Sequence, residues 1–370
     1  MNIAVDAFAL TEKQASGIPN YTRKLLSPLA GLNRADKYFL YSRDPFEFEQ
    51  GPNIIRRALE KKGGLSYGNT LWLFSRGIQL MQKDKIDIFW GPRHMLPPIL
   101  PKKIKKVLTV HDLAWKYYPE TLEKYNLLIM KLFAERSIRR ADHILAVSGA
   151  TARGLMALGV PEERITVTYN AADGFKPLDK SSSAEYICRK YGTNKNYVLT
   201  VSTVEPRKNL VTLLRAFAPL RGPQLVIAGA RGWKNAAVHA EYEKLGFREE
   251  EVKFLGYVPD EEMNMLYSGA MVFVFPSIYE GFGMPLLEAM ASGAPVISSN
   301  TSSLPEVAGD AGILLPPLDV EKWSAAISKA LGDKTLRKEM ISKGLSQSKK
   351  FSWEDSARKT LRVFQGLVNS

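Results

Sequence analysis

The sequence has a single cysteine, Cys188, among its 370 residues. One cysteine excludes an internal disulfide and a cysteine-based metal site, so we expect a reducing compartment and a cytoplasmic protein. Only four histidines occur, and no His/Asp group has metal-ligand spacing, so we expect metal-independent chemistry without a cofactor. No uncharged apolar run approaches twenty residues, and no basic region with an apolar core precedes the first strand. We therefore expect neither a membrane span nor a signal peptide.

The first half of the chain is short of acidic residues. Residues 1–172 carry 26 Lys and Arg against 16 Asp and Glu, a net charge of +10, whereas residues 173–370 carry 25 against 22, a net charge of +3. This excess indicates an anionic partner, such as a membrane surface, a nucleic acid or a phosphorylated acceptor. Nucleic acid is disfavoured because no aromatic stacking module or recognition helix is apparent. A dinucleotide oxidoreductase is disfavoured because no G-x-G-x-x-G follows the first strand.

The length and the hydrophobic content of 45% predict two globular domains. Both halves alternate apolar strand-like runs with helix-like segments, which is typical of a parallel sheet covered by helices on both faces. The sequence therefore predicts an α/β chain with two Rossmann-like, doubly wound domains, 1–173 and 174–350. The polar, Ser-rich residues 176–196 are interpreted as a linker and the approach to the second domain.

Residues 271–293 combine a strand, a glycine loop and a helix. The apolar run 271–275 predicts a fully buried strand, and Gly281 and Gly283 follow it in a loop. Pro285 near the start and Gly293 past the end predict a short helix between them. A strand that leads through glycines into a helix N-terminus favours anion binding, because the first backbone N–H groups of the helix lack partners.

Two carboxylates, Glu280 and Glu288, lie on either side of this predicted anion site. Carboxylates do not bind an anion, but each can hold a hydroxyl group of a ribose or hexose attached to a phosphate. The alternative is a glutamate in favourable contact with the helix dipole and a second, exposed glutamate.

A basic pair follows the first strand of the second domain. Arg207 and Lys208 come directly after that strand and before an amphipathic helix, for which Asn209 is the predicted cap. Such a pair can neutralise a diphosphate, Arg through a fork of donors and Lys as a point charge. The alternative is an ordinary solvated basic turn.

Two positions in the first half also follow predicted strands. Gly17 lies after the first strand and just ahead of the first helix, where glycine lets a backbone approach a phosphate. His111 and Asp112 end the strand VLTVHD, at a carboxyl end where ligand-binding residues collect. The alternatives are a plain turn at Gly17 and a structural, hydrogen-bonded histidine at His111.

These motifs resemble retaining glycosyltransferases of family four, which have the GT-B fold. The second half carries the resemblance in EPRKNL, AGARGW, LGYVP and FPSIYEGFGMPLLEAMASGAPVISSNTSSLPEVAGDAGILLPPLD, and the family's Glu-x7-Glu pair falls on Glu280 and Glu288. The first half adds SGIPNYTRKLL, IFWGP, VLTVHDLAWKYYPE and RRADHILAVSGAT. The resemblance implies an acceptor-side domain, a nucleotide-sugar domain, a cleft between them, and a C-terminal helix (351–370) that packs back on the first domain.

The resemblance also implies a role for each candidate residue. Arg207 and Lys208 would bind the donor diphosphate and stabilise it as a leaving group, and Glu288 would hold the ribose hydroxyls. Glu280 and the backbone of Gly281, Phe282 and Gly283 would meet the donor sugar and its phosphate. His111 would contact the donor hexose, and Gly17 the diphosphate. The family usually has a second glycine where Pro19 stands, a departure that concerns the Gly17 loop.

The implied reaction needs no protein nucleophile. The acceptor hydroxyl would attack the face that the diphosphate leaves, and the departing phosphate oxygen would take its proton. The EPRKN form resembles mannosyltransferases that use GDP-mannose in bacterial O-antigen or exopolysaccharide assembly, with a glycan or lipid-linked saccharide as acceptor. The alternatives are a GT-B-like sugar phosphorylase, a nucleotide-sugar epimerase and a nucleic-acid-binding protein.

The segment 121–141 is predicted to form one helix that is both apolar and basic. It fits a membrane-surface helix that contacts anionic lipid at the inner face of the membrane and reaches a lipid-linked acceptor. The alternative is a core-packed helix with a solvated basic face.

Overall fold

In the computed structural model of the chain, residues 1–11, 17–48, 51–58 and 72–369 are described. The first half forms a seven-stranded sheet in which all strand pairs are parallel. Its strands are β1 (Asn2–Asp6), β2 (Lys37–Tyr41), β3 (Ile54–Arg57), β4 (Ile88–Gly91), β5 (Lys105–Val110), β6 (His143–Ala146) and β7 (Ile165–Val167). Their order in the sheet is β3-β2-β1-β4-β5-β6-β7. The order reverses direction between β1 and β4, so the sheet is doubly wound.

The second half forms a six-stranded sheet, again with all strand pairs parallel. Its strands are β8 (Tyr197–Val201), β9 (Gln224–Ala228), β10 (Val252–Gly256), β11 (Val272–Phe275), β12 (Val296–Ser299) and β13 (Ile313–Leu315). The order β10-β9-β8-β11-β12-β13 reverses between β8 and β11. The predicted α/β fold class, with two Rossmann-like doubly wound domains, is confirmed.

Helices connect the strands of both sheets. In the first half they are α1 (Gly17–Leu32), α2 (Ile78–Lys83), α3 (Ala114–Tyr117), α4 (Lys124–Ile129), α5 (Glu135–Arg140) and α6 (Gly149–Ala157). In the second half they are α7 (Lys180–Tyr191), α8 (Leu210–Phe217), α9 (Ala236–Lys244), α10 (Asp260–Gly269), α11 (Met284–Ala291), α12 (Leu304–Ala308), α13 (Val320–Gly332), α14 (Lys334–Ser348) and α15 (Trp353–Asn369). Across the described ranges, no helix is both long enough and apolar enough to cross a membrane.

The chain divides into two compact units. The first comprises Met1–Trp115, Lys124–Asn170 and Ser352–Ser370, and the second comprises Lys116–Glu123 and Ala171–Phe351. Helix α15 therefore belongs to the first unit, where it packs against α1. The short segment Lys116–Glu123 belongs to the second unit, although the sequence placed it within 1–173.

The interpretation of residues 176–196 as a linker is wrong for most of that segment, because Lys180–Tyr191 forms α7. Asp179 caps the helix by accepting a hydrogen bond from the backbone N–H of Ser182 at 2.8 Å. Gly192 ends it in the left-handed conformation, with φ of 64°. The polar sequence hid the helix because only a narrow stripe of small and apolar side chains is buried.

The predicted helix at 121–141 is not one regular helix. It consists of α4, a π-helical turn at Met130–Ala134 and α5. Apolar side chains at helical spacing also predict a helix at 69–82. Residues 69–71 lie outside the described residues, and the rest forms a π-helical turn at Leu73–Gly77 followed by α2.

Candidate active site

The basic loop and the glutamate loop meet because β8 and β11 are neighbours in the second sheet. Strand β8 leads to Arg207 and Lys208, and β11 leads to Glu280, at the same edge of the sheet. Adjacent strands whose connections run in opposite directions leave a crevice between their carboxyl ends. The topology therefore brings together loops that lie 72 residues apart in sequence.

Four charged side chains form a connected quartet in this crevice. Lys208 Nζ donates to Glu280 Oε1 at 2.6 Å, and Arg207 Nη1 donates to Glu280 Oε2 at 3.0 Å. Arg207 Nη2 donates to Glu205 Oε1 at 2.8 Å, and Nη1 also donates to the carbonyl oxygen of Tyr279 at 2.8 Å. The quartet contains two cations and two carboxylates, so its formal charges cancel. Glu205 was not predicted from the sequence.

The quartet is largely buried, and both this burial and the mutual charges shift the pKa values of its side chains. Burial alone would raise the pKa of Glu280, but Lys208 and Arg207 outweigh burial and lower that pKa to about 2. Burial, followed by the charge of Arg207, lowers the pKa of Lys208, while Glu280 and Glu205 oppose that change. Glu280 is therefore an ionised carboxylate at neutral pH, with an ammonium or guanidinium group on each oxygen.

Asn209 orients the basic loop by a route other than the predicted helix cap. Its backbone is left-handed, with φ of 57°, and its side chain makes no capping hydrogen bond. Instead, Nδ2 donates to the carbonyl oxygens of Pro276 at 3.0 Å and Pro317 at 2.6 Å, and Oδ1 accepts from Thr212. Asn209 thereby ties the turn after β8 to the ends of β11 and β13. Asn209 is the N-cap residue of α8, as predicted, although its side chain does not cap the helix.

A second loop, Thr301–Ser303, holds the glutamate loop from the other side. The backbone N–H of Glu280 donates to Ser302 Oγ at 2.9 Å. Ser303 Oγ is within 2.9 Å of the Glu280 carbonyl oxygen and 2.7 Å of the Phe282 carbonyl oxygen, and Thr301 Oγ1 donates to Ile278 at 2.8 Å. The sequence prediction missed these hydroxyl groups. The signal was present, since a run of Ser and Thr directly after a buried strand supplies short-range donors and acceptors.

The glycine loop enters α11 as predicted. Gly283 is left-handed, with φ of 106°, and a Cβ there would come within 2.7 Å of Leu304 Cδ2. Only glycine fits this position without strain. The Phe282 side chain is 4% exposed and packs edge-on against Phe351. Its side chain is thus part of the core, and the contact of its backbone with the donor stays a prediction.

Glu288 lies on α11, beyond the glycine loop, and does not touch the quartet. Tyr267 on α10 donates its hydroxyl hydrogen to Glu288 Oε2 at 2.9 Å. Burial raises the pKa of Glu288 to about 7; the Tyr267 hydrogen bond opposes this and the charge of Asp260 adds to it. The residue as a whole is half-buried. Its ionisation is therefore poised near neutral pH.

In the first unit, His111 is part of a packed aromatic group. Its Nε2 lies 2.6 Å from the carbonyl oxygen of Pro92, and its ring meets Tyr21 edge-on at 4.7 Å between centroids. A carbonyl oxygen only accepts, so Nε2 carries the hydrogen and Nδ1 keeps its lone pair. Burial, reinforced by the neighbouring His94, lowers the pKa of His111 to about 3. His111 is therefore neutral and structurally fixed, and its predicted role toward the hexose stays a prediction.

Gly17 is the first residue of α1 and is exposed. A Cβ at this position would meet no heavy atom of the described residues within 4 Å. Packing against the described part of the chain therefore does not require glycine there. Of the predicted site residues, Arg207, Lys208 and Glu280 are in direct contact, the loop from Gly281 to Gly283 adjoins them, and Glu288 follows on α11.

Comparison with known proteins gives a consistent result. The family model for Glycosyltransferase Family 4 matches residues 16–173, and that for Glycosyl transferases group 1 matches residues 189–347. The chain is 33% identical over 375 residues to O-antigen chain mannosyltransferase B of Escherichia coli, covering 95% of this chain and 96% of the relative.

Two solved structures share the fold at low identity. Sucrose-phosphate synthase from Thermosynechococcus elongatus has a TM-score of 0.77 at 20% identity, covering 99% of this chain and 98% of that chain. Anabaena Alr3699/HepE in complex with UDP-glucose has a TM-score of 0.74 at 18% identity, covering 99% of each chain. At such identities the likeness concerns the fold alone.

Proposed function

The chain belongs to family 4 of the glycosyltransferases, within group 1 and with the GT-B fold, and we propose that it is a retaining mannosyltransferase. In this proposal it transfers mannose from GDP-mannose to a saccharide hydroxyl group during polysaccharide assembly. Glycosyl transfer follows from the family itself. Mannose and an O-antigen-like acceptor are supported by the relative named as an O-antigen mannosyltransferase.

The observation that carries the proposal is the Arg207–Lys208–Glu280 arrangement. Two cations on the loop after β8 meet Glu280 on the loop after the neighbouring strand β11, next to the N-terminus of α11. A diphosphate is the dianion for which such a site is suited, because guanidinium, ammonium and backbone N–H donors converge there. Since the quartet is formally neutral, the diphosphate competes with Glu280 for Lys208, and Glu280 is then released toward a sugar hydroxyl.

The retaining stereochemistry is what the family resemblance implies, and the quartet supports a step without a protein nucleophile. Glu205 is 2% exposed and paired with Arg207 at 2.8 Å, and Glu280 keeps its pairing with Arg207 at 3.0 Å when the diphosphate takes Lys208, so neither carboxylate is a free nucleophile. In the proposed step the bond between the sugar C1 and the phosphate oxygen breaks, and a bond from C1 to the acceptor oxygen forms on the same face. The acceptor proton passes to the departing phosphate oxygen. Arg207 and Lys208 stabilise the charge that develops there.

We also propose that the reaction is metal-independent. Within the described ranges, no group of three or more His, Cys, Asp and Glu side chains is arranged to hold a metal ion. The lysine and arginine of the quartet supply positive charge at the position where a metal would otherwise bind a diphosphate.

A product assay tests the proposal. The protein is incubated with GDP-mannose, UDP-glucose or dTDP-rhamnose, with and without a mannose-terminated oligosaccharide, in the presence of EDTA. We expect transfer from GDP-mannose only when the acceptor is present, no loss with EDTA, and an α-linked product by NMR. A β-linked product contradicts retention, and EDTA inhibition contradicts metal independence. Donor isomerisation without acceptor indicates an epimerase, and sugar 1-phosphate formation from a saccharide and phosphate indicates a phosphorylase.

Membrane contact is a further part of the proposal, supported by the segment from α4 to α5. Four of its large apolar side chains are exposed: Tyr125 by 51%, Leu128 by 55%, Leu132 by 59% and Phe133 by 39%. The alternative considered for this segment, a core-packed helix, would instead bury these side chains. The neighbouring basic side chains Lys124, Lys131, Arg136 and Arg139 are also exposed. Exposed apolar groups among cations match the interface of an anionic bilayer.

Co-sedimentation with vesicles containing anionic phosphatidylglycerol at low salt checks this contact. We expect the wild-type protein to bind, and we expect a Leu128→Glu, Leu132→Glu double variant to lose most of that binding. Each glutamate removes an inserted apolar group and adds repulsion. Leu318→Glu is the matched control, because Leu318 is 67% exposed elsewhere on the chain. Equal binding by the double variant and the control, or no binding by the wild type, contradicts the membrane assignment.

A further inference from the structure

Three tyrosine rings lie together next to the basic loop, and the mechanism above gives them no role. The ring of Tyr279 is 5.2 Å from that of Tyr118 and 6.3 Å from that of Tyr117, between centroids, with interplanar angles of 41° and 47°. All three belong to the second unit. Tyr279 directly precedes Glu280, and its carbonyl oxygen accepts from Arg207 Nη1 at 2.8 Å. The cluster is therefore attached to the diphosphate site through the backbone.

The segment that carries two of these tyrosines is fixed by side chains of the AGARGW region. Trp233 Nε1 donates to the Thr121 carbonyl oxygen at 2.6 Å, and Lys234 Nζ donates to the Leu122 carbonyl oxygen at 2.8 Å. Lys234 also bonds to the Glu120 carbonyl oxygen. Successive carbonyl groups are thus held by an indole and an ammonium group. This anchoring positions the rings of Tyr117 and Tyr118 before any ligand binds, which reduces the entropic cost of binding.

The exposure of the cluster distinguishes it from the structural tyrosines. Five other tyrosines, Tyr21, Tyr38, Tyr41, Tyr197 and Tyr267, are at most 2% exposed. In contrast, Tyr117 is 44% exposed, and Tyr118 and Tyr279 are both partly exposed. Three adjoining aromatic rings open to solvent provide a broad apolar face with hydroxyl groups at its edge. Such a face is complementary to a pyranose, which presents C–H bonds on one side and hydroxyl groups around its rim.

We propose that Tyr117, Tyr118 and Tyr279 form a subsite that stacks against a hexopyranose ring of the acceptor saccharide. The inference rests on the proposed transferase function and deepens it. The donor diphosphate is an anion and is held by the charged quartet, whereas the acceptor is a neutral polyol, and these three side chains carry no charge. The position one residue from Glu280 places a stacked acceptor ring beside the donor sugar.

Steady-state kinetics with matched variants test this subsite. With GDP-mannose as donor and a mannose trisaccharide as acceptor, we expect Tyr118→Ala and Tyr279→Ala each to raise the acceptor KM by about tenfold, because a stacked ring is lost. The donor KM is expected to stay within about twofold. Tyr118→Phe and Tyr279→Phe keep the ring and should keep most of the acceptor affinity. Tyr257→Ala, at a tyrosine that is 49% exposed and outside the cluster, should leave the acceptor KM unchanged.

Other outcomes overturn the subsite. An unchanged acceptor KM in both alanine variants shows that no acceptor ring stacks there. A rise in the donor KM alone shows that the cluster contacts the nucleotide, and equal rises in both constants with a lower melting temperature show a purely structural role.

A binding experiment separates failure of the subsite from failure of the proposed function. Saturation-transfer NMR of the mannose trisaccharide with wild-type protein requires no turnover. If transfer is absent but the trisaccharide binds, and the alanine variants lose the signal while the phenylalanine variants keep it, the subsite holds and the transferase proposal fails. If transfer occurs in the wild type and the alanine variants still bind the trisaccharide fully, the subsite fails and the transferase proposal stands.

Discussion

Replacing Lys208 with alanine is expected to lower kcat by about 10²-fold to 10³-fold, the range found when one preorganised donor to a developing oxyanion is removed. The ammonium group is 13% exposed and lies 2.6 Å from Glu280 in a nearly dry site. As the sugar–phosphate bond breaks, negative charge grows on the departing oxygen, so the interaction with Lys208 is stronger in the transition state than in the bound donor. An interaction of that kind raises kcat rather than affinity alone.

A loss of activity is easier to interpret in a Lys208 variant than in an Arg207 variant. Removing Arg207 would leave Glu205, which is 2% exposed, as a buried carboxylate without its guanidinium partner, and such a loss is strongly destabilising. Removing Lys208 leaves Glu280 paired with Arg207 at 3.0 Å. A fall in activity of the Lys208→Ala variant can therefore be attributed to the reaction, provided that its melting temperature stays near that of the wild type.

The measurement is steady-state turnover of GDP-mannose at saturating acceptor. Lys322→Ala serves as the control, since the Lys322 side chain is 62% exposed and pairs only with nearby Asp319 among the described ion pairs. If the Lys208→Ala variant keeps the wild-type kcat and has a raised donor KM, Lys208 binds the substrate and the transition state equally. The leaving-group role would then be wrong.

The sequence sufficed for those parts of the fold that rest on apolar runs. Strand β11 differs from the predicted strand, 271–275, only at its first residue. Fully buried parallel strands have dense Val, Ile and Phe runs, which need no tertiary information to recognise. Helix α7 was missed for the opposite reason. Only Ser183, Ala184 and Ile187 are buried along it, and a Cβ at Gly269 on α10 would meet the Ala184 backbone nitrogen at 2.9 Å. Close packing of this kind leaves no hydrophobic periodicity to detect.

The site shows the same limit. Arg207, Lys208 and Glu280 were each predicted from local position, at the end of a strand and before a helix. That both oxygens of Glu280 would be occupied by those cations was not predictable, because the contact depends on β8 and β11 being neighbours. The hydroxyl groups of Thr301–Ser303 were missed because their partners lie on another loop. Glu205 was missed although its partner, Arg207, is only two residues away. Local sequence identifies groups able to bind a ligand, whereas the sheet order determines which of them are already paired.

The affinity for GDP-mannose is expected to fall by about tenfold for each pH unit below 7, since one pKa unit corresponds to about 1.36 kcal/mol. The cause is Glu288, whose pKa burial raises to about 7. If Glu288 holds the ribose, its carboxylate form accepts two hydroxyl hydrogens, so binding requires the proton to leave. Above pH 7 the carboxylate is already formed and the affinity is level.

The same shift affects the stability of the free protein. The folded pKa lies above the unfolded value of about 4.3, so the folded state holds this proton more tightly. Its contribution to the free energy of unfolding is fully present below the unfolded pKa and is lost as the pH rises through about 7. Through Glu288, raising the pH through 7 therefore lowers the stability of the ligand-free protein but raises its affinity for the nucleotide. Bound nucleotide should move the melting temperature upward more at pH 8 than at pH 5.

Calorimetry with GDP-mannose from pH 5 to pH 8 measures the effect without acceptor. The nucleotide-sugar is preferable to GDP, because a terminal phosphate titrates at about pH 6 and would mimic the result. Glu288→Gln keeps the shape of the side chain and should give weak, pH-independent binding. Asp260→Asn should move the midpoint to lower pH, because the charge of Asp260 contributes to the raised pKa of Glu288. Wild-type affinity that does not vary with pH, or a Glu288→Gln variant that binds as tightly as the wild type at pH 8, contradicts the ribose assignment. A midpoint that moves with the charge of Asp260 assigns the titrating proton to Glu288, because no other carboxyl group of the described residues has both a pKa raised to about 7 and a contribution from Asp260.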